Sequence, residues 1–249
     1  MISIVMGVSR FDDYVPIAID SIFSQTFTDF ELIIVANGEF CNDIAKNIIE
    51  RYPIESRLKI IKSHIPQLAH ALNIGIDNSI YDYIARMDSD DISFPDRLEK
   101  QLFFLIKNKL DVVGSDVQLI DENGIHLGRR TVKKGNSINA FLPYGSTFVH
   151  PTILIKKSVL IQVKGYNAGF NSEDYDLWLR LKRIGVAWNN MEEDLLYYRI
   201  HDASSQRKLL GYAECAGYAL REFILQKSLN NLVAIFYHMI KVIIRPLRK

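Results

Sequence analysis

Through the first part of the chain, up to about residue 115, short apolar runs alternate with stretches whose apolar residues recur every three or four positions. Such alternation leaves few ways to bury both kinds of segment. Ile2 to Val8 is a near-continuous apolar run, as a parallel strand covered on both faces requires, and Ser9-Arg10-Phe11-Asp12-Asp13 breaks it into a loop. Tyr14 to Phe27 places Val15, Ile19, Ile22 and Phe23 at helical spacing, with Asp12 or Asp13 able to cap. A buried strand, Phe30 to Val35, ends at Ala36-Asn37-Gly38-Glu39, where glycine lets the chain reverse. A helix from Asp43 to Arg51, a strand from Leu58 to Lys62, a helix from Leu68 to Ile76 and a fourth strand through Met87 follow. This order predicts an α/β fold whose parallel strands are joined by right-handed crossovers.

The fourth strand runs straight into Asp88-Ser89-Asp90-Asp91. Three acids so close repel one another and cannot be buried unpaired, so a cation belongs among them. If extended backbone continues through Ser89, Asp88 and Asp90 leave the same face and can converge on one ion. Hard oxygen donors favour magnesium or manganese, which characteristically share such sites with a diphosphate. The bland alternative is that the acids cap the next helix, but Ser93 before Phe94-Pro95-Asp96 already supplies an N-cap, with Pro95 in the first turn. Acids at the carboxyl end of a strand, where open α/β sheets bind ligands, are better explained by function.

A chain of 249 residues, 48% of them apolar, can bury one large core or two small ones. Its 30 basic and 29 acidic residues leave a net charge of +1, which gives no electrostatic case for a nucleic-acid partner. Cys41 and Cys215 have no metal or redox spacing and read as reduced thiols of a cytoplasmic protein. The start, Met1 to Met6, reads as a strand rather than a signal peptide, and no apolar run is long enough to span a membrane. After the acids, Leu98, Leu102, Leu105 and Ile106 mark a helix face, and Asp111 to Ser115 reads as a strand. Val117 to Ile120 and Ile125 to Arg130 then flank Asp121-Glu122-Asn123-Gly124, a hairpin signal. No repeat or linker interrupts this, so one mixed domain is expected over residues 1–205, with a helical segment over 206–249.

An ordered set of motifs now becomes specific. The apolar first strand, the strand ending near Asn37-Gly38, Asn73-Ile74-Gly75, and Arg86-Met87-Asp88-Ser89-Asp90-Asp91 followed by Pro95 resemble family 2 glycosyltransferases. His150-Pro151-Thr152, Gly165-Tyr166, Ser172 to Arg180 and Tyr198-Arg199-Ile200-His201 resemble the later motifs of that family in order. The likeness, from residue 2 to about 205, is closest to bacterial enzymes that extend O-antigen or exopolysaccharide repeat units. It implies a GT-A fold, a Rossmann-like mixed sheet flanked by helices, with the nucleotide-sugar half at about 1–115 and the acceptor side at about 116–205. It also implies a nucleotide-sugar donor and inversion at the anomeric carbon.

Glycosyl transfer needs charge stabilisation on the departing diphosphate and a base for the acceptor hydroxyl. The resemblance gives the first task to Asp88 and Asp90 with Mn2+ or Mg2+; Asp91 could bind the ion through water or cap the turn. Glu173-Asp174 opens a helix with Leu177, Leu181 and Ile184 facing inward, and the helix dipole alone would suit both acids. The family's Glu-Asp motif makes Asp174 the base and Glu173 a nearby acceptor or structural ligand. A histidine at a strand end is ordinarily a polar cap, but the resemblance carries His201 to the metal or diphosphate. Arg199 and Arg180 could pair with diphosphate or form structural ion pairs, and Pro151 is expected to keep His150 extended on the acceptor side. Where the family usually has two aspartates after the second strand, this chain has Ala36-Asn37, and Asn37 can still offer a donor and an acceptor to uracil. Gly7 replaces a common proline, and the Gln-x-x-Arg-Trp motif of processive members is absent, so a single addition is expected.

In the last segment Leu229, Leu232, Val233, Phe236, Tyr237, Ile240, Ile243 and Ile244 repeat at three and four, opposite Asn230, His238, Lys241 and Arg245. With Arg248 and Lys249, this amphipathic stripe suits an anionic membrane surface; alternatively it packs on the protein's own body or on a second subunit. The expectation is a peripheral enzyme on the inner face of the bacterial cytoplasmic membrane, transferring one hexose or N-acetylhexosamine from a UDP-sugar to a lipid-diphosphate-linked saccharide. A rival, magnesium-dependent phosphoryl transfer, would place Asp-x-Asp after the first strand, which here ends in Gly7-Val8-Ser9. A non-enzymatic sugar-binding module is the third reading.

Overall fold

The computed structural model describes residues 1–167, 169, 171–201 and 209–244. Among these, the strands β1 (Ile2–Val8), β2 (Phe30–Asn37), β3 (Leu58–Ser63) and β4 (Tyr83–Met87) run parallel in the order β3-β2-β1-β4. The sheet continues through β8 (Leu154–Lys156), β6 (Val112–Ile120), β9 (Trp188–Arg199) and the short β5 (Ile92–Ser93). Since β8 is antiparallel to both β4 and β6, and β9 is parallel to β6, the carboxyl ends of β1, β2, β4, β6 and β9 all point the same way. The expected hairpin forms between β6 and β7 (His126–Arg130); Asp121 Oδ1 accepts the N–H groups of Asn123 and Ile125, and Gly124 has φ +83°.

Alternation along β1 divides the core. Ile4, Met6 and Val8 face α1 (Tyr14–Phe23), α2 (Cys41–Arg51) and α4 (Arg97–Lys107), whereas Val5 faces α3 (Leu68–Asp77) and, farther along, α7 (Glu173–Arg183). Gly75 is what lets α3 approach so closely, because a Cβ there would lie 2.3 Å from Val5 Cγ1. Asn73, two residues earlier, donates from Nδ2 to the Tyr166 carbonyl and accepts the Tyr166 N–H at Oδ1, both at 2.8 Å.

Several expectations shift in detail. The strand expected from Asp111 to Ser115 and the next one are a single strand, β6. Ser93 does not cap α4; it lies in β5, drawn there by pairing with Leu196, and Asp96 occupies the cap position. Ile106 is exposed because Arg97 and Gln101, not apolar residues, fill the buried face of α4 beside Leu98 and Leu105. Ile184 likewise lies beyond the end of α7 and is exposed. His150 opens a 3-10 turn, His150–Thr152, because the Thr152 and Ile153 N–H groups bond back to the Val149 and His150 carbonyls.

The carboxyl-terminal segment forms two packed helices, α8 (Leu209–Leu225) and α9 (Leu229–Ile244); the expected boundary near 205 and the helix start at Gln206 lie outside the described residues. Arg221 of α8 pairs with Asp176 of α7, and Glu222 pairs with Arg183, so α8 is fastened to α7 by charge. Helix α9 packs through Asn231, Ala234 and His238, whose Nε2–H donates to the Pro143 carbonyl at 3.0 Å. Of the side read as polar, His238 thus faces the body, where it and Asn231 are satisfied by carbonyls, Asn230 is exposed, and the apolar stripe of Val233, Phe236, Ile240 and Ile243 faces outward. Arg245, Arg248 and Lys249 lie outside the described residues. No helix among the described residues is long and apolar enough to cross a membrane.

Candidate active site

The acids meet by a different route from the one expected. Strand β4 ends at Met87, and Ser89 and Asp90 form a turn, so the pleat does not align Asp88 with Asp90. The turn does: one oxygen from each of Asp88, Asp90 and Asp91 lies within 4.8 Å of the others. Arg199, at the end of β9, holds that turn closed. Its backbone N–H donates to Asp91 Oδ1 at 2.9 Å, and its guanidinium donates to the carbonyls of Asp90 at 2.8 Å, Asp121 at 2.9 Å and Glu122 at 3.1 Å. With its face 4.3 Å from the Tyr14 ring centroid, the Arg199 guanidinium is turned to the protein and does not line the cleft described below.

Two buried arginines, Arg86 and Arg97, lie next to the turn. Arg86 pairs with Asp88, and Arg97 donates to the Arg86 carbonyl at 2.6 Å and to Gln101 Oε1 at 3.1 Å. Burial draws Arg97 down to about 9, with Asp91 opposing the shift. Burial and then the neighbouring Asp88 charge push Asp90 upward, and Asp91 well above the usual carboxylate range. Asp91 Oδ2 is buried with no hydrogen-bond partner among the described residues. Three converging carboxylates, two of them poorly neutralised, and an orphaned oxygen fit a divalent cation. His201, which the resemblance carries to the metal or diphosphate, stands beside the same turn, its Nε2 2.9 Å from Asp90 Oδ2.

Glu173 and Asp174 stand in the first turn of α7, in the same cleft of about 610 Å³ as Asp88 and Arg86. Helix α8 fixes the approach to them: Glu214 accepts the Asn171 N–H at 3.2 Å and the Ser172 hydroxyl. Asp174 Oδ1 accepts the Tyr175 N–H at 2.7 Å. Burial, then the Asp174 charge, raises Glu173 to about 7; burial also raises Asp174, against the Tyr175 N–H and the Arg130 charge. His150 also lines the cleft, with Nε2 2.7 Å from the Tyr166 hydroxyl; burial and then the Arg86 charge hold it neutral, well below the usual imidazole value.

Two sequence candidates stand elsewhere. Asn37 is buried at the end of β2, paired in register with Ser63, outside the lining of this cleft. Arg180 is structural, bonded at 2.7 Å to Asp176 on its own helix. Conversely, the cleft is lined by Arg130, Tyr144, Tyr212 and Lys241, which no motif marks. They come from β7, a turn and the last two helices, and only tertiary packing gathers them. Their one sequence signal is that Lys241 stands on the polar side of the last amphipathic helix.

Comparison with known proteins places this geometry in context. The model of Glycosyl transferase family 2 matches residues 3–164. The chain is 47% identical to the O-antigen biosynthesis glycosyltransferase WbnJ of Escherichia coli over 98% of this chain and 97% of that protein. It is 29% identical to the Escherichia coli UDP-Gal:alpha-D-GlcNAc-diphosphoundecaprenol beta-1,3-galactosyltransferase, over 77% of this chain and 70% of that one. The crystal structure of S. aureus TarS 1-349 in complex with UDP-GlcNAc superposes with a TM-score of 0.70 at 14% identity, covering 98% of this chain and 81% of that one. The last likeness concerns the fold, and it agrees with the expected GT-A architecture.

Proposed function

Because the chain belongs to Glycosyl transferase family 2 and is therefore a glycosyltransferase, we propose that it transfers one sugar from a UDP-sugar to a lipid-diphosphate-linked saccharide, with inversion, in O-antigen or exopolysaccharide synthesis. The observation that carries this reading is the meeting of two carboxylate groups in one cleft, Asp88 at the edge of the acid turn and Glu173-Asp174 at the start of α7. The names of the relatives, one an O-antigen enzyme and one using UDP-galactose and a diphosphoundecaprenol acceptor, support the substrate classes.

In this reading Asp88, Asp90 and His201 hold Mn2+ or Mg2+, with Asp91 beneath. The ion would neutralise charge on the departing diphosphate. Asp174 takes the proton of the attacking acceptor hydroxyl, and the Tyr175 N–H keeps its carboxylate aimed. Glu173, near its midpoint at neutral pH, hydrogen-bonds the acceptor sugar. Arg199 holds the metal turn rigid, and Asn37 at the end of β2 meets the uracil edge. The outward stripe of α9 rests on the anionic inner face of the cytoplasmic membrane, where a lipid-linked acceptor resides.

The test is transfer from a panel of UDP-sugars to an alkyl-diphosphate-linked N-acetylglucosamine with manganese present, the product linkage being read by NMR. A β-linked disaccharide from an α-linked donor is expected. Retention of the donor configuration, or no transfer from any UDP-sugar, contradicts the proposal.

A further inference from the structure

Two cations in the cleft are unaccounted for by the donor site. Arg130, at the end of β7, and Lys241, on α9, both line it, and neither forms an ion pair among the described residues. Their neighbours are engaged: Arg129 pairs with Asp116 and Asp194, Asp88 also pairs with Arg86, and Arg130 meets the Asp174 charge only through space, without an ion-pair contact. Lys241 Nζ sits 4.2 Å from the Tyr237 ring centroid, and Tyr237 in turn meets Tyr144 edge-on at 5.4 Å. The ammonium is therefore held over an aromatic platform at the cleft wall, on the helix that also carries Phe236, Ile240 and Ile243 outward.

Resting on the reading above, we propose that Lys241 and Arg130 grip the diphosphate of the acceptor, and that α9 is the element which joins its anionic head to its apolar tail. A diphosphate brings more negative charge than any neutral sugar, and it would enter a cleft already lined by Asp88, Glu173 and Asp174. Unpaired cations at the rim offset that repulsion; an arginine fork and a lysine point charge are the usual partners of phosphate oxygens. Because Lys241 faces the cleft and Ile240, its neighbour in sequence, faces solvent at 54% exposure, a head bound at Lys241 leaves its hydrocarbon chain beside the apolar stripe. A free sugar would use neither feature, which makes the pair a selector for diphosphate-linked acceptors. The donor's own diphosphate belongs at the acid turn, where a cation can meet it.

The experiment fills the donor site first. Protein loaded with manganese and UDP is titrated by calorimetry with decyl diphosphate, which carries neither sugar nor nucleotide, and with decyl glucoside as the control for apolar contact. Decyl diphosphate should bind and decyl glucoside should bind far less. Lys241→Gln should weaken decyl diphosphate by about tenfold or more, Arg130→Gln likewise, while Lys241→Arg keeps most of the affinity. UDP affinity and melting temperature should be unchanged in Lys241→Gln. Equal binding of the two amphiphiles, unaltered decyl diphosphate binding in Lys241→Gln and Arg130→Gln, or a parallel loss of UDP affinity overturns the assignment. A wild-type protein that binds no UDP contradicts the donor reading; one that binds UDP but not decyl diphosphate contradicts only this proposal.

Discussion

Glu173 and Asp174 are adjacent in sequence yet burial and hydrogen bonding prepare them for different tasks. Burial raises both, but the Tyr175 N–H and the Arg130 charge oppose the rise at Asp174, while burial and then the Asp174 charge raise Glu173 to about 7. Asp174→Asn should therefore lower kcat by about 10²- to 10⁴-fold with donor affinity intact, since a base acts only as the hydroxyl attacks. Steady-state kinetics beside UDP titration checks this, and near-normal turnover would move the base to Glu173. Ionising Glu173 places a second negative charge beside Asp174 and makes Asp174 more basic. The rate should then rise through pH 7 and level off above it, and the inflection should vanish in Glu173→Gln. A pH–rate profile unchanged by that substitution contradicts the assignment. At this scale the motif residues were legible because carboxylates crowded at a strand end have few structural uses. Arg130 and Lys241 were not, because a single cation carries no pattern until the fold shows what it faces.

Among the elements, α9 departs most from ordinary packing. Its small and polar residues, Asn231, Ala234 and His238, are buried, and its large apolar ones are exposed. Periodicity made the stripe readable but not its direction, because Asn231 and His238 find buried carbonyl partners that only the folded chain supplies. The strands were legible for the opposite reason: parallel strands covered on both faces must be apolar along most of their length, as Ile2–Val8 and Phe30–Asn37 are but for Ser3, Glu31 and Asn37. If the stripe meets a membrane, Phe236→Ser with Ile240→Ser should lower partitioning onto anionic vesicles by about tenfold or more, since each buried side chain contributes about 1.5–3 kcal/mol. Both positions are exposed, so stability should change by no more than about 0.5 kcal/mol. Vesicle sedimentation and urea unfolding measure the two effects. Unaltered sedimentation with a dissociated oligomer would assign the stripe to a protein interface.

On the scale of the whole molecule, the site is assembled by four distant segments. The turn after β4, the end of β9, the start of α7 and the last helix meet at the side of the sheet where the parallel strands end. The order of motifs along the chain anticipated the first three, because each sits at a predictable strand or helix end. The Asp88–Asp90 convergence was right in outcome and wrong in cause: a turn clamped by Arg199 performs it, and a backbone tertiary bond of that kind leaves no mark in the sequence. The most direct test of the account is the melting temperature of wild-type, Asp90→Asn and Asp174→Asn proteins with UDP, with and without manganese, because a ligand that binds only the folded state raises it by mass action. UDP with manganese should stabilise the wild-type and Asp174→Asn proteins but not Asp90→Asn, and GDP should do little. A UDP shift that needs no metal, survives in Asp90→Asn, or is exceeded by GDP would contradict the assignment of the acid turn to the donor diphosphate.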